Sequence, residues 1–379
     1  MFLSKSVLFL PGWYDEQMHR GIARCAREAG WILSCPMRHE GRMPAAHKKI
    51  DGIITLLSHG RKDITDFVLS RRRIPIVDMS GEIPDLQFPL VRQDNQAIGQ
   101  LAASHLMAHG CSTLVYVKLM NNSFATERLA GFSNAVSAGS RKLVLLDITK
   151  SGIPVRNWTE WLTRKFLSIP KPFGIMPDCD WHAMDVFDAC NHAGINIPED
   201  ALVIGVDNDE LTCTFAPVPL TSVDNNRERH GYEAAQLLDR IMRGRKPPKE
   251  NIVIPPKFIV ERQSTNAIAV NHPLVSKAIG MIWTHYRDPE LTPAWVIDQL
   301  GCSREGLHRI FKHHIGRSVA EELRRKRMES AMEILITTDK KMEEVASLSG
   351  FSSALHLNKV FNREMRETPS GFRKSRKLS

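Results

Sequence analysis

Two stretches, LGCSREGLHRIF and SGFSSALHLNKVF, repeat one pattern: a Gly, a Ser two positions on, then a helix-like run that closes on Phe. Helical periodicity puts Leu307, Ile310 and Phe311 on the inner face of the first run. That leaves Arg304, Glu305, His308, Arg309 and Lys312 outward, behind Ser303. In the second run Leu357, Val360 and Phe361 face inward, and Ser353, His356 and Lys359 point away. Outward Arg, Lys, His and Ser side chains are hydrogen-bond donors of the reach and type that meet base edges and phosphate oxygens, Arg being the commonest reader of guanine.

Such side chains need elements that hold them in place. Each run follows a short apolar helix, AWVIDQL or MEEVASL, and then a Gly turn, which is the helix-turn-helix arrangement. Between the two lies VAEELRRKRMESAMEILITT, whose Leu323, Met328, Ala331, Ile334 and Leu335 are placed to brace both units. Two recognition helices held roughly 34 Å apart would enter successive major-groove turns on one face of a duplex. Double-stranded DNA is therefore the expected partner. Charge agrees: from residue 271 onward there are 19 Lys and Arg against 13 Asp and Glu, so two thirds of the net +9 lies in the last 109 residues. Clustered positive charge is the footprint of nucleic-acid binding.

The preceding chain has a different rhythm. VLFLPG, GWILSC, DGIITLL and IPIVDMS read as buried strands, and TLVYVKLM, KLVLLDIT, FGIMPD and ALVIGVDN continue the series. Amphipathic helices such as DEQMHRGIARCAREAG, NQAIGQLAASHLMAHG and RHGYEAAQLLDRIMRG alternate with them. Continuous apolar strands alternating with helices imply parallel sheets covered on both faces, with chain enough for two. The expected organisation is an α/β region over 1–265 with two lobes, a linker over 266–272 (NAIAVNH), and an all-α region over 273–379 that ends in a basic tail. No apolar run approaches the ~18 residues of a membrane span. The N-terminal apolar patch reads as a strand, and seven scattered cysteines without a CxxC fit reduced thiols. A cytoplasmic, nucleoid-associated protein without membrane contact is expected.

Catalytic chemistry finds little to work with: no GxSxG, P-loop or GxGxxG is present, and no cofactor is expected. No metal site is expected either, since His313 and His314 are adjacent on a helix and point to different faces. Cys35-Pro36-Met37-Arg38 faintly suggests the activated thiol of alkyl-DNA repair proteins, but the order differs from the Pro-Cys-His-Arg of that chemistry. A transport-type binding protein would have no use for residues 273–376.

Residues 273–376 resemble the DNA-binding domain of the AraC/XylS family of bacterial transcription regulators. The likeness rests on Gly301, Ser303, Leu307, Arg309, Phe311 and Gly316, on Arg327, Ala331 and Leu335, and on Glu344, Ala346, Gly350, Phe351, Phe361, Pro369, Phe372 and Arg373. The second recognition helix has His356-Leu357 where the family often has Tyr-Phe, and Lys359 where Arg is usual. Residues 6–265 resemble the effector domain of LacI-type repressors, itself similar to periplasmic sugar-binding proteins. RQDNQAIGQLAASHLMAHGCSTLVYV, TERLAGFSNAV and VIGVDNDELTCTFAPVPLTSVDNN carry that likeness. The resemblance implies a sugar-responsive regulator, an activator of pentose catabolism, whose effector binds between two closing lobes. It also implies a homodimer, paired through IGQLAASHLMAHG or FVLSRRR, and contact with RNA polymerase.

Sugars take planar bidentate partners for adjacent hydroxyls and an aromatic face for the ring, at the carboxyl ends of strands. On that rule the expected ligands are Trp13, Tyr14 and Asp15 after the first strand, Phe124 and Arg128, Asp178 at the end of FGIMPD, and Asp207 with Asn208 at the end of VIGVDN. An Asp after a strand is also a common helix N-cap, so Asp15 and Asp178 have a second reading.

Overall fold

The apolar run Ser6–Pro11 (β1) is buried from Val7 to Pro11, as a strand must be when helices cover both its faces. A computed structural model describes residues 4–38, 43–44, 49–267 and 272–376. After β1 come α1 (Glu16–Ala29), β2 (Ile32–Ser34), β3 (Gly52–Leu56), α2 (Lys62–Leu69), β4 (Ile76–Asp78) and β5 (Val91–Gln93). Then follow α3 (Asn95–Ala108), β6 (Thr113–Lys118), α4 (Ser123–Ala138), β7 (Lys142–Asp147), α5 (Trp158–Phe166), β8 (Phe173–Pro177) and α6 (Asp180–His192). The series continues with β9 (Ala201–Val206), α7 (Glu210–Phe215), β10 (Thr221–Asp224), α8 (Arg227–Met242), β11 (Ile252–Ile254) and β12 (Phe258–Val260). Among the described residues only helices follow: α9 (Pro273–His285), α10 (Pro293–Leu300), α11 (Arg304–Ile315), α12 (Val319–Thr337), α13 (Met342–Leu348), α14 (Ala354–Met365) and α15 (Pro369–Arg376).

The chain forms two compact units. The first is Met1–Ile98, Asn121–Glu127 and Asn225–Pro256. It holds a parallel sheet of order β2-β1-β3-β4 and a separate parallel pair, β11-β5. Helices α1 and α8 meet there backbone to backbone. A Cβ on Gly21 would lie 1.9 Å from the Glu228 carbonyl oxygen, and one on Gly231 would lie 2.0 Å from that of Met18. GWILSC, expected as a buried strand, is instead the sheet edge β2, with Ile32 60% exposed.

The second unit is Gly99–Met120, Arg128–Asp224 and Lys257–Ser379. Its six-stranded sheet runs β12-β10-β9-β8-β6-β7 and is parallel except for β12, which returns antiparallel to β10. The expected parallel sheets are present, and at this edge the chain returning from the first unit has no crossover helix, so β12 runs antiparallel.

The helices of this unit form two cores, and α12 serves both. Val319 and Leu323 pack with Val296, Leu307 and Phe311, while Met328, Ala331 and Leu335 pack with Val345, Leu357 and Phe361. Two turns of this region are tied to each other and to α12. Arg327 donates Nε to the Tyr286 carbonyl at 2.8 Å and Nη2 to that of Asp288 at 2.6 Å. Gly350, at φ +80°, has no room for a Cβ, which would lie 2.1 Å from the Tyr286 oxygen. Of the expected linker, residues 268–271 lie outside the described residues, as do residues 377–379 of the basic tail.

Glu322 is the buried polar hub of the helical region. It has no solvent exposure and accepts from Arg325 Nη2 at 2.9 Å, Trp283 Nε1 at 3.0 Å and Arg317 Nε. Burial alone would raise its carboxyl, but Arg325 and then Arg317 outweigh burial and hold it at about 2. Because its folded value is depressed below the ordinary 4.5, its contribution to stability is present above pH 4.5 and lost as pH falls toward 2. Glu322→Ala leaves the buried Arg317 guanidinium without its carboxylate and takes one of two from Arg325, and should lower the unfolding free energy by about 3–5 kcal/mol. Urea denaturation followed by far-UV circular dichroism measures it, and a loss under about 1 kcal/mol would show the hub to be dispensable.

Candidate functional site

In the second unit the carboxyl ends of β6, β8 and β9 gather a polar cluster. Arg128, on α4, is 3% exposed. Its Nη1 donates to the Asp178 carbonyl oxygen at 2.6 Å, and its Nη2 lies 3.6 Å from Asp207 Oδ1. Three residues far apart in sequence are thus brought together. Asp178 is fully buried, and its Oδ2 accepts from the backbone amides of Leu119 at 2.6 Å and Met120 at 2.8 Å. Its carboxylate holds the chain leaving β6, while its carbonyl oxygen aims the Arg128 guanidinium. His182 Nδ1 stands 3.6 Å from the same Oδ2. Burial alone would lower the His182 imidazole, but the hydrogen bonds to Asp178 and Cys179 outweigh it and raise it to about 10.

Asp207 and Asn208 leave β9 in backbone conformations that L side chains rarely adopt, φ +116° and +49°. Strain of this kind persists where surroundings over-determine it, and it gathers at functional sites. Here the Asn208 amide donates to Ser222 Oγ at 3.0 Å, and Arg262 Nη2 donates to Asn208 Oδ1 at 2.8 Å. Asp180, which sequence reasoning missed, completes the brace. It accepts from Ser222 Oγ at 2.7 Å and from the Asp209 amide at 2.9 Å. Burial, and then the Asp207 charge, push its carboxyl up to about 7. Nothing in DCDWHAM singles out Asp180, because its partners lie 29 and 42 residues downstream. Trp181, beside it and 74% exposed, is an aromatic surface that also went unread.

The first unit carries Trp13, Tyr14, Asp15 and Phe124. Asp15 caps α1, accepting from the Met18 amide at 2.7 Å, and its other oxygen accepts from Arg227. Its N-cap reading therefore holds, with an added ion partner that the sequence did not suggest. Arg227 also stands 5.8 Å from the centre of the Trp13 ring, which is 41% exposed. Tyr14 bonds His19 Nδ1 through its hydroxyl at 3.1 Å. Phe124 is half-buried in the first turn of α4.

In the helical region the DNA-facing candidates lie on α11 and α14, with Ser303 and Ser353 just before them. Arg304, Glu305, His308, Arg309 and Lys312 are all exposed, as are Ser353, His356 and Lys359. Both serines are N-caps: Ser303 Oγ accepts from the Gly306 amide and Ser353 Oγ from the His356 amide, each at 3.1 Å. The second helix offers more than its polar residues, since Leu355 is 80% exposed on it. An inventory of hydrogen-bonding side chains passes over it.

The comparisons with known proteins follow the same division. Residues 103–265 match the periplasmic binding protein-like domain family, and residues 296–375 match a helix-turn-helix domain family. The chain is 28% identical over 377 residues to the xylose operon regulatory protein of Haemophilus influenzae, covering 95% of each. It is 30% identical over 264 residues to the HTH-type transcriptional regulator DegA of Bacillus subtilis, covering 66% of this chain and 77% of that one. Its fold is similar to that of the xylose-binding transcription activator xylR, with TM-score 0.60 and 23% identity over the whole of both chains. A ribose-bound LacI family regulator from Enterococcus faecalis superposes with TM-score 0.55 at 22% identity, over 70% of this chain and all of that one.

The Asp180 brace makes a test of its own. With its folded value raised to about 7 above the ordinary 3.8, its contribution to stability is full below pH 3.8 and is lost as pH rises to about 7. Asp180→Asn should remove that decline, so melting temperatures of variant and parent measured between pH 4 and 7.5 should diverge from a common trend. Parallel curves would mean the carboxyl is not proton-linked to folding.

Proposed function

For a chain that belongs to the helix-turn-helix transcription regulators, with a periplasmic binding protein-like domain ahead of an AraC-type DNA-binding region, we propose a sugar-responsive role: activation of a pentose catabolic operon. The observation that carries it is the buried pairing of Arg128 with Asp207 at the end of β9, where Asp207 and Asn208 are both held in strained backbone. A guanidinium and a carboxylate placed side by side offer planar donors and acceptors to adjacent hydroxyls. Asp178 and Asn208 orient that pair; in the first unit, Trp13, Tyr14 and Phe124 offer aromatic surface of the kind a sugar ring takes, with Asp15 holding the loop that carries Trp13 and Tyr14. The relatives named for the xylose operon, matched over 95% of the chain, support a pentose.

The protein acts in the cytoplasm as a homodimer on two DNA half-sites and contacts RNA polymerase when it activates. Helix α3 presents few surfaces for pairing, since between residues 98 and 110 only Gln100 and Ser104 are exposed. The segment 67–73, where Arg71 lies over the Phe67 ring at 4.0 Å, is the better candidate.

Thermal-shift titration with xylose, ribose and arabinose tests the sugar, because a ligand that binds the folded state raises its apparent stability. One pentose should stabilise the parent protein, and Arg128→Ala should abolish that shift while DNA binding without sugar survives. Unchanged sugar affinity in both Arg128→Ala and Asp207→Ala would misplace the site.

On DNA, α11 carries most sequence discrimination through His308 and Arg309, and α14 adds phosphate contacts from Lys359 and an apolar contact from Leu355 that suits a thymine methyl. Arg309→Ala should cost about 1–3 kcal/mol on the cognate site and little on scrambled duplex. Lys359→Ala should weaken both alike and lower the salt slope by about one. Binding to both duplexes at several salt concentrations separates the roles, and a more sequence-selective loss in the Lys359 variant would reverse them.

A further inference from the structure

His105, in the last turn of α3, and His109, just past its end, stand four residues apart, an HxxxH spacing that the expectation of no metal site overlooked. Both are almost fully buried, at 3% and 1% exposure, and their rings lie 4.1 Å apart. Glu261, just beyond β12, joins them, and one ligand atom from each of the three lies within 4.8 Å of the others. The hydrogen bonds around the rings settle which nitrogens face outward. His109 Nδ1 bonds the His105 carbonyl oxygen at 2.8 Å, so Nδ1 carries the proton and Nε2 keeps its lone pair. His105 Nε2 bonds Thr265 Oγ1 at 3.0 Å. With Nε2–H donating to that hydroxyl, Nδ1 is left as a buried lone pair that accepts no hydrogen bond and stands 3.8 Å from Glu261 Oε1. An imidazole whose far nitrogen is fixed by a carbonyl or hydroxyl, with the near one bare, is the arrangement of metal-bound histidine. A cavity of about 370 Å³ adjoins, lined by His109, Glu261, Thr265 and Trp283, and gives an ion a route and room for water.

We propose that His105, His109 and Glu261 form a binding site for a divalent cation of the zinc class. Two imidazoles and one carboxylate with an open position suit zinc, whereas magnesium and calcium take oxygen ligands. Tetrahedral ligands at zinc stand about 3.3 Å apart, so the three side chains close on the ion by an ångström or so through their torsions. Burial lowers both imidazoles, His109 to about 4, which keeps them neutral and ready to ligate. The cations nearby do not forbid an ion. Arg317 and Arg325 pair with Glu322, Arg325 also with Glu329, and Lys326 with Glu261.

That last pair gives the site a consequence. Lys326 lies on α12, between the two helix-turn-helix units, and Glu261 is its partner from the α/β part of the unit. An ion that recruits Glu261 takes it from Lys326 and releases one bond between the DNA-binding helices and the sheet. Zinc and the α12 lysine therefore compete for one carboxylate.

Zinc(II) in equilibrium dialysis against chelator-stripped full-length protein tests this, with magnesium and calcium as comparison ions. One zinc per chain should bind and neither comparison ion should. His109→Ala and Glu261→Gln should each weaken zinc at least tenfold, and Lys326→Met, which removes the competitor, should tighten it severalfold. His272, His313 and His314 form a separate ring cluster that could capture zinc, so His314→Ala should leave the affinity unchanged. Wild-type affinity in Glu261→Gln, or loss of zinc in His314→Ala, would overturn the site. Unchanged or weaker binding in Lys326→Met would overturn the competition. Glu261 sits at the cavity rim, so its variant carries the test if the buried His109 change prevents folding.

Discussion

Glu322 is a carboxylate with no water around it, and the helical region is arranged to keep it charged. Removing one such ion from water costs several kcal/mol unless its lone pairs are all met. Its donors come from three places: Trp283 on α9, Arg317 in the turn before α12, and Arg325 one turn along α12. Arg317 is shared, since its Nη2 also donates at 3.0 Å to the carbonyl of Ala108, the last residue of α3. That oxygen is one of the terminal carbonyls a helix leaves without an internal partner, at the end where positive charge is favoured. One guanidinium thus neutralises the buried acid and fastens the DNA-binding helices to the α/β part of the same unit.

The fastening is repeated, and one of its points lies next to the turn at Asn208. Arg141 donates Nη2 to the His314 carbonyl at the end of α11 at 3.0 Å, and the His109 ring packs on Trp283 at 4.7 Å. Glu261 and Arg262 are consecutive residues that reach opposite ways. Arg262 bonds Asn208 and the Leu220 carbonyl, while Glu261 bonds Lys326 on α12. A change in the backbone at Asn208 would be felt one residue from the bond that holds α12. Packed interiors transmit such shifts because side chains interdigitate with few voids. A flexible tether alone would leave the DNA-binding helices indifferent to the turn at Asn208.

Much of this was legible because it is periodic. Leu307, Ile310 and Phe311 announce an inner helix face, and the run Val7 to Leu10 announces a strand covered on both sides. The bracing role of α12 could be read from the spacing of Leu323, Met328, Ala331 and Leu335, and Ser303 and Ser353 stand at their caps. What was not legible is pairwise and long-range. Asp180 meets Ser222, Asp15 meets Arg227, and His105 meets Glu261, each across more than 40 residues. A lone Asp after a strand reads the same whether it caps, braces or binds, and only its partners distinguish these. Asp15 proved to be a cap, and Asp178 spends one carboxylate oxygen on two backbone amides.

The positive charge of the helical region reads differently once its partners are known. Arg317 and Arg325 surround Glu322, Lys326 holds Glu261, and Arg327 and Arg373 cap backbone carbonyls. These cations build the fold and are not spent on DNA. The recognition helices themselves bring Arg304, Arg309, Lys312, Lys359 and Arg363 to the surface, the last beside Glu364, a short set for a polyanion whose affinity scales with the phosphates neutralised. On the proposed reading, with few cations on each helix, the two helices hold DNA together and not singly. Affinity then depends on both landing in register, and that register is set by one continuous helix whose halves are buried in separate cores. The rigidity of α12 is thus a condition of binding as much as of folding, and the buried carboxylate beneath it serves both.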